Sequence, residues 1–293
     1  MYPTIDFAST PLAPCYAGFY AKVLDDVFTP AECAELITLA ASQAGGWQPA
    51  GLSTREEKQT VHRDFRNSER TLVIDEIVSK RIYDRLRPLV EEIAVIAPKG
   101  PWAGITGKIG RKQGPTWELD TDRAFPLLLL DCSSVNPRLS FLRYGPGHYF
   151  KPHCDGLNEL KDGLLKSFVT LHLYLTDDTT VSKDGKFFTC HSEEESDNAE
   201  VVDTPYDSTA SPANESGSAH APSIGGSHES RQSLTGGATR FWSPNKKDFL
   251  DVEPKIGRVL VFQQRMLIHS GEEVTSGMKY TMRGDFMFRE IRQ

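Results

Sequence analysis

The sequence lacks the features of secreted and membrane proteins. Its first twenty residues, MYPTIDFASTPLAPCYAGFY, have no basic start, no long apolar run and no small-residue cleavage site, so we expect no secretory signal. No stretch approaches the length of a membrane span, because the apolar run FPLLLL at 125–130 is far too short. We therefore expect a cytoplasmic or nuclear protein that is neither secreted nor bound to a membrane.

Cysteine is scarce, and its spacing is not that of a metal or redox motif. The five cysteines are scattered without any CxxC pair, at Cys15, Cys33, Cys132, Cys154 and Cys190. An odd number of cysteines without a signal is typical of free thiols in a reducing compartment. The sequence has no internal repeat. It also lacks a basic stripe with interleaved aromatic residues, so we expect no general nucleic-acid binding.

One segment has very few large apolar residues. Residues 191–235 are rich in Ser, Glu, Asp, Pro and Gly, a composition that cannot bury enough surface to offset its ordering entropy. The segment has nine acidic residues and one basic residue, so its net charge of −8 leaves the rest of the chain close to neutral. We predict an acidic insertion in a single domain at 18–293, preceded by an N-terminal extension at 1–17. The insertion is either a lid over a site or padding, and padding is favoured.

Helical patterns come first along the chain, and strand patterns follow. Residues 28–43 predict a helix that begins with a capping box at Thr29. Residues 74–95 predict a second helix, which Pro88 kinks or splits. Its expected apolar side comprises Ile77, Ile82, Leu86, Leu89, Val90 and Ile93. From residue 139 onward, short β-branched or aromatic runs between Gly and Pro predict strands. This order favours an α-flanked β-sandwich or a jelly roll.

A histidine and an aspartate lie one residue apart in FLRYGPGHYFKPHCDG, at 141–156. Side chains alternate along a strand, so we expect His153 and Asp155 on one face, about 7 Å apart. The candidate third ligand is His269, at the end of the apolar strand VLVFQQRMLIHSGEE, where a buried imidazole would need a partner. Two histidines and a carboxylate form the facial triad that leaves positions on Fe(II) open for a co-substrate and dioxygen. A His-x-Asp pair alone arises often by chance, so this prediction depends on the surrounding segments.

Several of those segments resemble one enzyme family. They occur in the order RYGPGHYFKPHCDG, SFVTLHLYLTDD, GGATRFW and VEPKIGRVLVFQQRMLIHSGEEVTSGMKYTMRGDFMF. Together they resemble the prolyl 4-hydroxylase-type 2-oxoglutarate and Fe(II)-dependent dioxygenases, closely from about 139 to 289 and more loosely from about residue 18. The resemblance implies an α+β, mainly β fold, a double-stranded β-helix (jelly roll) with an N-terminal helical buttress.

The resemblance also implies roles for single residues. It makes three residues the iron ligands and catalytic centre: His153, Asp155 and His269. Tyr144 and Tyr174 match positions that line the 2-oxoglutarate pocket, where phenols donate hydrogen bonds to carboxylate oxygens. The alternative for either tyrosine is a half-buried sheet residue whose hydroxyl reaches water. Thr170, on the strand face of Tyr174, is a further candidate for that pocket.

The distal carboxylate of 2-oxoglutarate needs a cation on the last strand, and spacing does not separate two candidates. Lys279, ten residues after His269, matches the family's usual lysine or arginine. Arg283 lies four positions further on the same face and offers a bidentate fork. The residue that is not used is expected to pair with Asp285 or to contact the substrate.

The cofactors implied by the resemblance are Fe(II), 2-oxoglutarate as co-substrate and dioxygen, and ascorbate is left open. The implied reaction hydroxylates an unactivated C–H bond and releases succinate and CO2. The substrate is either a prolyl residue of a peptide or a small amino-acid-like molecule. His148 and His172 are not predicted as ligands. The alternative functions are a non-catalytic metal-binding jelly roll and an interaction protein that docks through the acidic insertion.

Overall fold

The computed structural model describes residues 2–53, 59–107, 114–119, 135–160, 164–176, 188–192 and 233–291. Most of the predicted acidic insertion therefore lies outside the described residues. Its two ends are described, and they belong to the folded body. A strand ends at Ser192, another begins at Thr235, and Leu234 is buried.

Short strands are the main regular structure of the described chain. They are β1 (Ala21–Leu24), β2 (Gln48–Pro49), β3 (Leu52–Ser53), β4 (Gln59–Thr60), β5 (Arg66–Asn67), β6 (Glu69–Ile74), β7 (Val95–Ile96), β8 (Thr116–Leu119), β9 (Arg138–Tyr144), β10 (Tyr149–His153), β11 (Glu159–Leu160), β12 (Leu165–Tyr174), β13 (Phe188–Ser192), β14 (Thr235–Gly236), β15 (Thr239–Trp242), β16 (Asp248–Val252), β17 (Val259–Gln263), β18 (His269–Gly271), β19 (Val274–Ser276) and β20 (Lys279–Ile291). The predicted strand-rich second half is confirmed.

The helices of the described residues all lie before residue 107. The α-helices are α1 (Ala13–Tyr16), α2 (Pro30–Ala41) and α3 (Glu76–Leu86), and the 3-10 turns are Phe7–Ser9, Arg87–Leu89, Glu91–Ile93 and Ala103–Thr106. Within the described ranges, no helix is both long and apolar enough to cross a membrane.

Two large antiparallel sheets contain most of these strands, and the pairs β14-β19 and β3-β4 form two small sheets. The main path of the ten-stranded sheet is β1-β17-β12-β20-β9-β6-β2, and the six-stranded sheet has the order β13-β16-β15-β18-β10-β5. From β9 onward the chain passes repeatedly between them. The larger sheet takes β9, β12, β17 and β20, and the smaller sheet takes β10, β15, β16 and β18. Residues far apart in the sequence therefore meet between the two sheets.

The larger sheet buries apolar side chains on both faces. Along β12, Leu171 belongs to the apolar cluster that includes Leu36 of α2 and Ile82 of α3. Tyr174 belongs to a second cluster, in which Phe262 of the larger sheet contacts Phe241 of the smaller sheet with ring centroids 5.6 Å apart. Burying each such side chain contributes about 1.5–3 kcal/mol. Helices therefore cover one face of this sheet, and the smaller sheet covers the other.

The first long helix begins where the sequence predicts. Thr29 accepts a hydrogen bond from the backbone N–H of Glu32, and the Glu32 carboxylate accepts one from the backbone N–H of Thr29. This reciprocal pair satisfies two of the donors that a helix start leaves without partners. Pro30 occupies the first helical position, where its missing N–H costs nothing. The capping box at this position is confirmed.

The second helix is shorter than its periodic pattern predicts. Helix α3 ends at Leu86, and a 3-10 turn that contains Pro88 follows it. Proline lacks the N–H that an α-helix needs and its ring clashes with the preceding turn, so it splits the segment. Ile82 and Leu86 are buried as expected, but Ile77 is exposed. The prediction for Ile77 was wrong, because only part of the apolar stripe contacts the core.

The N-terminal segment packs against the body of the protein. Phe7 and Tyr16 are buried in the cluster between the sheets, and the Phe7 ring lies edge-on to Phe241 with centroids 5.8 Å apart. The Tyr16 hydroxyl donates a hydrogen bond to the carbonyl of Trp242. Residues 2–17 thereby cover one edge of the space between the sheets.

Candidate metal centre

A cavity of about 1000 Å³ lies between the two sheets. The larger sheet lines it with alternate residues of β6, β9, β12 and β20, which share one face because successive side chains point to opposite faces. The smaller sheet contributes side chains from β5, β10, β15 and β18. Most of the residues predicted to carry chemistry line this cavity.

The predicted triad comes together at one wall of the cavity. His153 on β10 pairs directly across the ladder with His269 on β18, and their ring centroids are 4.4 Å apart. Asp155 follows two residues later, with carboxylate oxygens 3.9 Å from Nε2 of His153 and 3.8 Å from Nε2 of His269. One potential ligand atom from each residue lies within 4.8 Å of the others. The ladder ends at the histidine pair, so Asp155 lies just beyond β10 and not on it as predicted.

Both imidazoles present the same nitrogen to this centre. Nδ1 of His153 lies 2.8 Å from the carbonyl oxygen of Lys151, and Nδ1 of His269 lies 3.1 Å from that of Leu267. A carbonyl oxygen only accepts, so Nδ1 carries the hydrogen and Nε2 keeps its lone pair. Burial lowers the pKa of His153 to about 3 and also lowers the pKa of His269. Both rings are therefore neutral and able to donate an electron pair.

The Asp155 carboxylate is held in its charged form. Burial acts to raise its pKa, but the Arg283 guanidinium, with Nε 3.3 Å from Oδ2, acts in the opposite direction. The Thr170 hydroxyl donates a 2.6 Å hydrogen bond to the same oxygen, and together these partners hold the pKa of Asp155 below its usual range. Thr170 in turn accepts a hydrogen bond from Gln264. The carboxylate is thus both ionised and fixed in orientation.

The two candidate cations on β20 have different surroundings. Arg283 contacts Asp155 and also places a guanidinium nitrogen 3.1 Å from Oδ1 of Asp285. Lys279 is buried, and its ammonium donates a hydrogen bond to the carbonyl of Gly237. No described carboxylate lies within ion-pair distance of Lys279. Arg283 is therefore engaged by acidic side chains, whereas Lys279 presents a buried positive charge at the cavity wall.

The two predicted tyrosines differ in the position of their hydroxyl groups. Tyr144 lines the cavity and pairs across the strands with Lys279, whose ammonium lies 5.2 Å from the ring centroid. Tyr174 is fully buried and donates its hydroxyl to Thr239 Oγ1 at 2.6 Å. The Tyr174 side chain is not part of the cavity lining. The contact of Tyr174 with 2-oxoglutarate stays a prediction. The single hydrogen of the Tyr174 hydroxyl is donated to Thr239 in this structure.

Some residues that line the cavity were not predicted to be part of the site, and His172 is one that was considered and not predicted as a ligand. His172 lines the cavity, and its Nε2 has no hydrogen-bond partner in the described ranges. Arg66, Arg70 and Arg138 also line it. The sequence does contain a signal for two of these arginines. The segment RNSER at 66–70 places basic residues four positions apart, next to a strand pattern. The pattern does not reveal that they face the same cavity as residues of β9 and β20.

Comparisons with known proteins find similarity in three dimensions only. No protein-family model and no curated protein sequence matches the chain. Solved structures do match. A Pseudomonas putida prolyl-4-hydroxylase is 12% identical over 96% of this chain and 95% of its own, with a TM-score of 0.45. A viral collagen prolyl hydroxylase from Paramecium bursaria Chlorella virus-1, in its 2OG complex, is 17% identical over 92% of this chain and 96% of its own, with a TM-score of 0.39.

A third match is an oxidoreductase of the 2OG-Fe(II) oxygenase family from Burkholderia pseudomallei. It is 10% identical over 92% of this chain and 84% of its own, with a TM-score of 0.40. The chain is thus similar to prolyl hydroxylases and 2OG-Fe(II) oxygenases, the class that its motifs resemble. At such identities and TM-scores, activity has to be inferred from the side chains of this chain.

Proposed function

We propose that this protein is an Fe(II)- and 2-oxoglutarate-dependent dioxygenase that hydroxylates an unactivated C–H bond. One observation carries the proposal. His153, Asp155 and His269 place potential ligand atoms within 4.8 Å of one another at the wall of a cavity. A buried lysine, Lys279, lines the same cavity.

The donor set fits Fe(II). Two neutral imidazole nitrogens and one carboxylate on one side of a metal ion form the facial triad of non-haem iron oxygenases, with open positions for other ligands. The backbone carbonyls that fix both Nδ1 atoms are the outer partners that metal-binding histidines usually have. When bound, Fe(II) activates dioxygen with 2-oxoglutarate as the electron source, which yields succinate, CO2 and a hydroxylated product.

The residues around the triad have separate roles in this proposal. Thr170 and Arg283 keep Asp155 ionised and oriented, so that the ligand set is ready before the metal arrives. Lys279 holds the distal carboxylate of 2-oxoglutarate, and Tyr144 beside it supplies a phenol. The position of these groups inside a cavity between the sheets limits the access of water to the reacting atoms.

We further propose that the two sheets form a double-stranded β-helix with α2 and α3 as its buttress. Support comes from the repeated crossing of the chain between the sheets, with β9, β12, β17 and β20 in the larger sheet and β10, β15, β16 and β18 in the smaller one. A jelly roll likewise has eight strands in two packed sheets. The apolar cluster that joins both helices to the larger sheet supports the buttress.

The test is an anaerobic titration of the full-length protein with Fe(II) and 2-oxoglutarate. Binding is monitored through the weak visible charge-transfer band of the chelate. We expect the band in the wild type and its loss in His153→Ala and Asp155→Asn. His148→Ala is the matched control, because His148 lies five residues before His153 and does not line the cavity. Aerobic succinate release should follow the same pattern. An Asp155→Asn protein that forms the band and consumes 2-oxoglutarate like the wild type would refute the assignment.

A further inference from the structure

The charges that line the cavity are mainly positive. Among the described lining residues, six are basic and three are acidic: Arg66, Arg70, Arg138, Arg265, Lys279 and Arg283 against Asp155, Glu159 and Asp285. Arg283 is engaged by Asp155 and Asp285. A metal ion at the triad would add further positive charge. The cavity is therefore built to receive more negative charge than its own carboxylates provide.

Three of the basic residues form a patch on one wall of the larger sheet, defined by Arg70, Arg138 and Arg283. Arg70 on β6 pairs with Leu142 of β9, and Arg138 lies four residues before Leu142 on the same face. Arg283 on β20 pairs with Ser140 of β9, between these positions. Burial and the charges of Arg66, Arg138 and Arg283 lower the pKa of Arg70 to about 10.

Two arginines that line the cavity, Arg66 and Arg138, have no carboxylate partner among the described residues. Elsewhere in the protein, a buried arginine has its own acidic partner, as in Arg258 with Nε 2.7 Å from Oδ1 of Asp25. Arg66 is equally buried, and Arg138 stands at the exposed edge of the cavity, yet neither forms an ion pair with a described carboxylate. A charge without an acidic partner is costly where it is buried, as at Arg66, whereas Arg138 is solvated. An anionic ligand would remove the cost at Arg66.

The patch and the proposed 2-oxoglutarate clamp occupy different parts of the cavity. Lys279 and Arg283 lie four residues apart on β20, which is about 13 Å along a strand. Arg138 lies six residues from Tyr144, the partner of Lys279, which is about 20 Å along β9. The triad contacts Arg283 and so lies between the clamp and the exposed edge at Arg138. The space on the Arg70 and Arg138 side remains for another molecule.

We propose that the primary substrate is a small molecule with a free carboxylate, and that Arg70 and Arg138 bind this carboxylate while the carbon to be oxidised lies at the triad. Arg66, whose guanidinium lies over the Phe150 ring, adds positive charge to the cavity. The inference rests on the proposed function and names its substrate class. It favours a free amino-acid-like acid over a prolyl residue within a peptide, because an internal prolyl residue carries no charge for the arginines to bind.

The experiment compares acids with their amides on the full-length protein. Mn(II) replaces Fe(II), 2-oxoglutarate is saturating and oxygen is absent, so that binding is measured without turnover. The probes are free L-amino acids, each with its carboxamide, such as L-proline and L-prolinamide, and a proline-containing peptide with both ends blocked. The measurement is the shift in melting temperature with ligand concentration, which gives an apparent Kd.

We expect at least one acid to bind while its amide does not. Arg70→Gln and Arg138→Gln should each weaken binding of that acid by about 10- to 100-fold, the loss typical of a charge-assisted hydrogen bond. Arg143→Gln is the matched control, because Arg143 lies on β9 but pairs with Glu69 and does not line the cavity. It should bind the acid like the wild type.

Several results would overturn the inference. They are equal binding of every acid and its amide, tighter binding of the blocked peptide than of any free acid, and wild-type affinity in both cavity variants. If Arg70→Gln weakened the binding of 2-oxoglutarate and of the acid equally, the patch would be assigned to the co-substrate. The Fe(II) charge-transfer band is measured separately. Its absence in the wild type would refute the proposed function, whereas its presence without a preference for acids would refute this inference alone.

Discussion

The buried ammonium of Lys279 allows the sharpest prediction about the co-substrate. We expect Lys279→Met to weaken 2-oxoglutarate binding while Fe(II) binding by the triad stays close to that of the wild type. Lys279 contacts a backbone carbonyl and lies near the ring of Tyr144, without any contact to the three ligand residues. Methionine keeps the length and most of the volume of lysine, so the cavity wall is preserved.

The size of the effect follows from the contact that is removed. A hydrogen bond to a charged group contributes about 1.5–3 kcal/mol, which corresponds to about a 10- to 100-fold increase in the Kd of 2-oxoglutarate. Arg283→Met is the comparison, because Arg283 contacts Asp155 at 3.3 Å and Asp285 at 3.1 Å. That variant leaves two buried carboxylates without their cation, so it should weaken Fe(II) binding first.

The assay titrates Fe(II) and 2-oxoglutarate separately under anaerobic conditions and follows the charge-transfer band. The two variants should give opposite patterns of loss. If Arg283→Met raised the Kd of 2-oxoglutarate and left Fe(II) binding unchanged, while Lys279→Met bound 2-oxoglutarate normally, the assignment of the clamp to Lys279 would be wrong. Circular dichroism of both variants controls for misfolding.

Three further predictions concern pH, metal affinity and stability. Burial lowers the pKa of Lys279 to about 8, so its ammonium is charged below that pH and neutral above it. At pH values above 8, the Kd of 2-oxoglutarate should therefore increase in the wild type and stay constant in Lys279→Arg. Thr170→Val removes the hydroxyl that orients the aspartate, and we expect about 10-fold weaker Fe(II) binding in an equilibrium titration. Thr281→Val should bind Fe(II) normally, because that buried hydroxyl has no hydrogen-bond partner in the described ranges. Gly257→Ala would place Cβ 1.9 Å from a carbonyl oxygen. In Gly18→Ala only the positive φ is unfavourable, which costs roughly 1–2 kcal/mol. Urea unfolding should therefore show a larger decrease in the free energy of unfolding for Gly257→Ala than for Gly18→Ala. Equal losses in the two glycine variants would contradict the clash.

The His-x-Asp part of the triad was predictable from local spacing, and the addition of His269 depended on the surrounding segments that resemble one enzyme family. His153 and Asp155 lie within one short motif, whereas His269 does not end the apolar strand as predicted, because β17 ends at Gln263 and His269 begins β18. The capping box at Thr29 was predictable for the same reason, since it depends on residues only three positions apart. Interactions of this kind are decided by the backbone geometry of one element, and the sequence carries that geometry directly.

The remaining features of the site depend on contacts between distant strands. The Tyr174 hydroxyl is taken by Thr239, which is 65 residues away, and no local pattern indicates this partner. Lys279 and Arg283 share a strand face, and only the position of Asp155 beside Arg283 separates their roles. The patch that contains Arg70 and Arg138 arises from the register of β6 with β9. Strand register is a tertiary property, so these features require the structure.

The central claim is that two imidazoles and one carboxylate from distant positions bind a single metal ion. The most direct test is a crystal structure of the full-length protein grown with Mn(II) and 2-oxoglutarate without oxygen, with anomalous diffraction recorded at the manganese edge. We expect one strong anomalous peak within bonding distance of Nε2 of His153, a carboxylate oxygen of Asp155 and Nε2 of His269. A peak bound by other residues, or an empty triad at saturating Mn(II), would contradict the account.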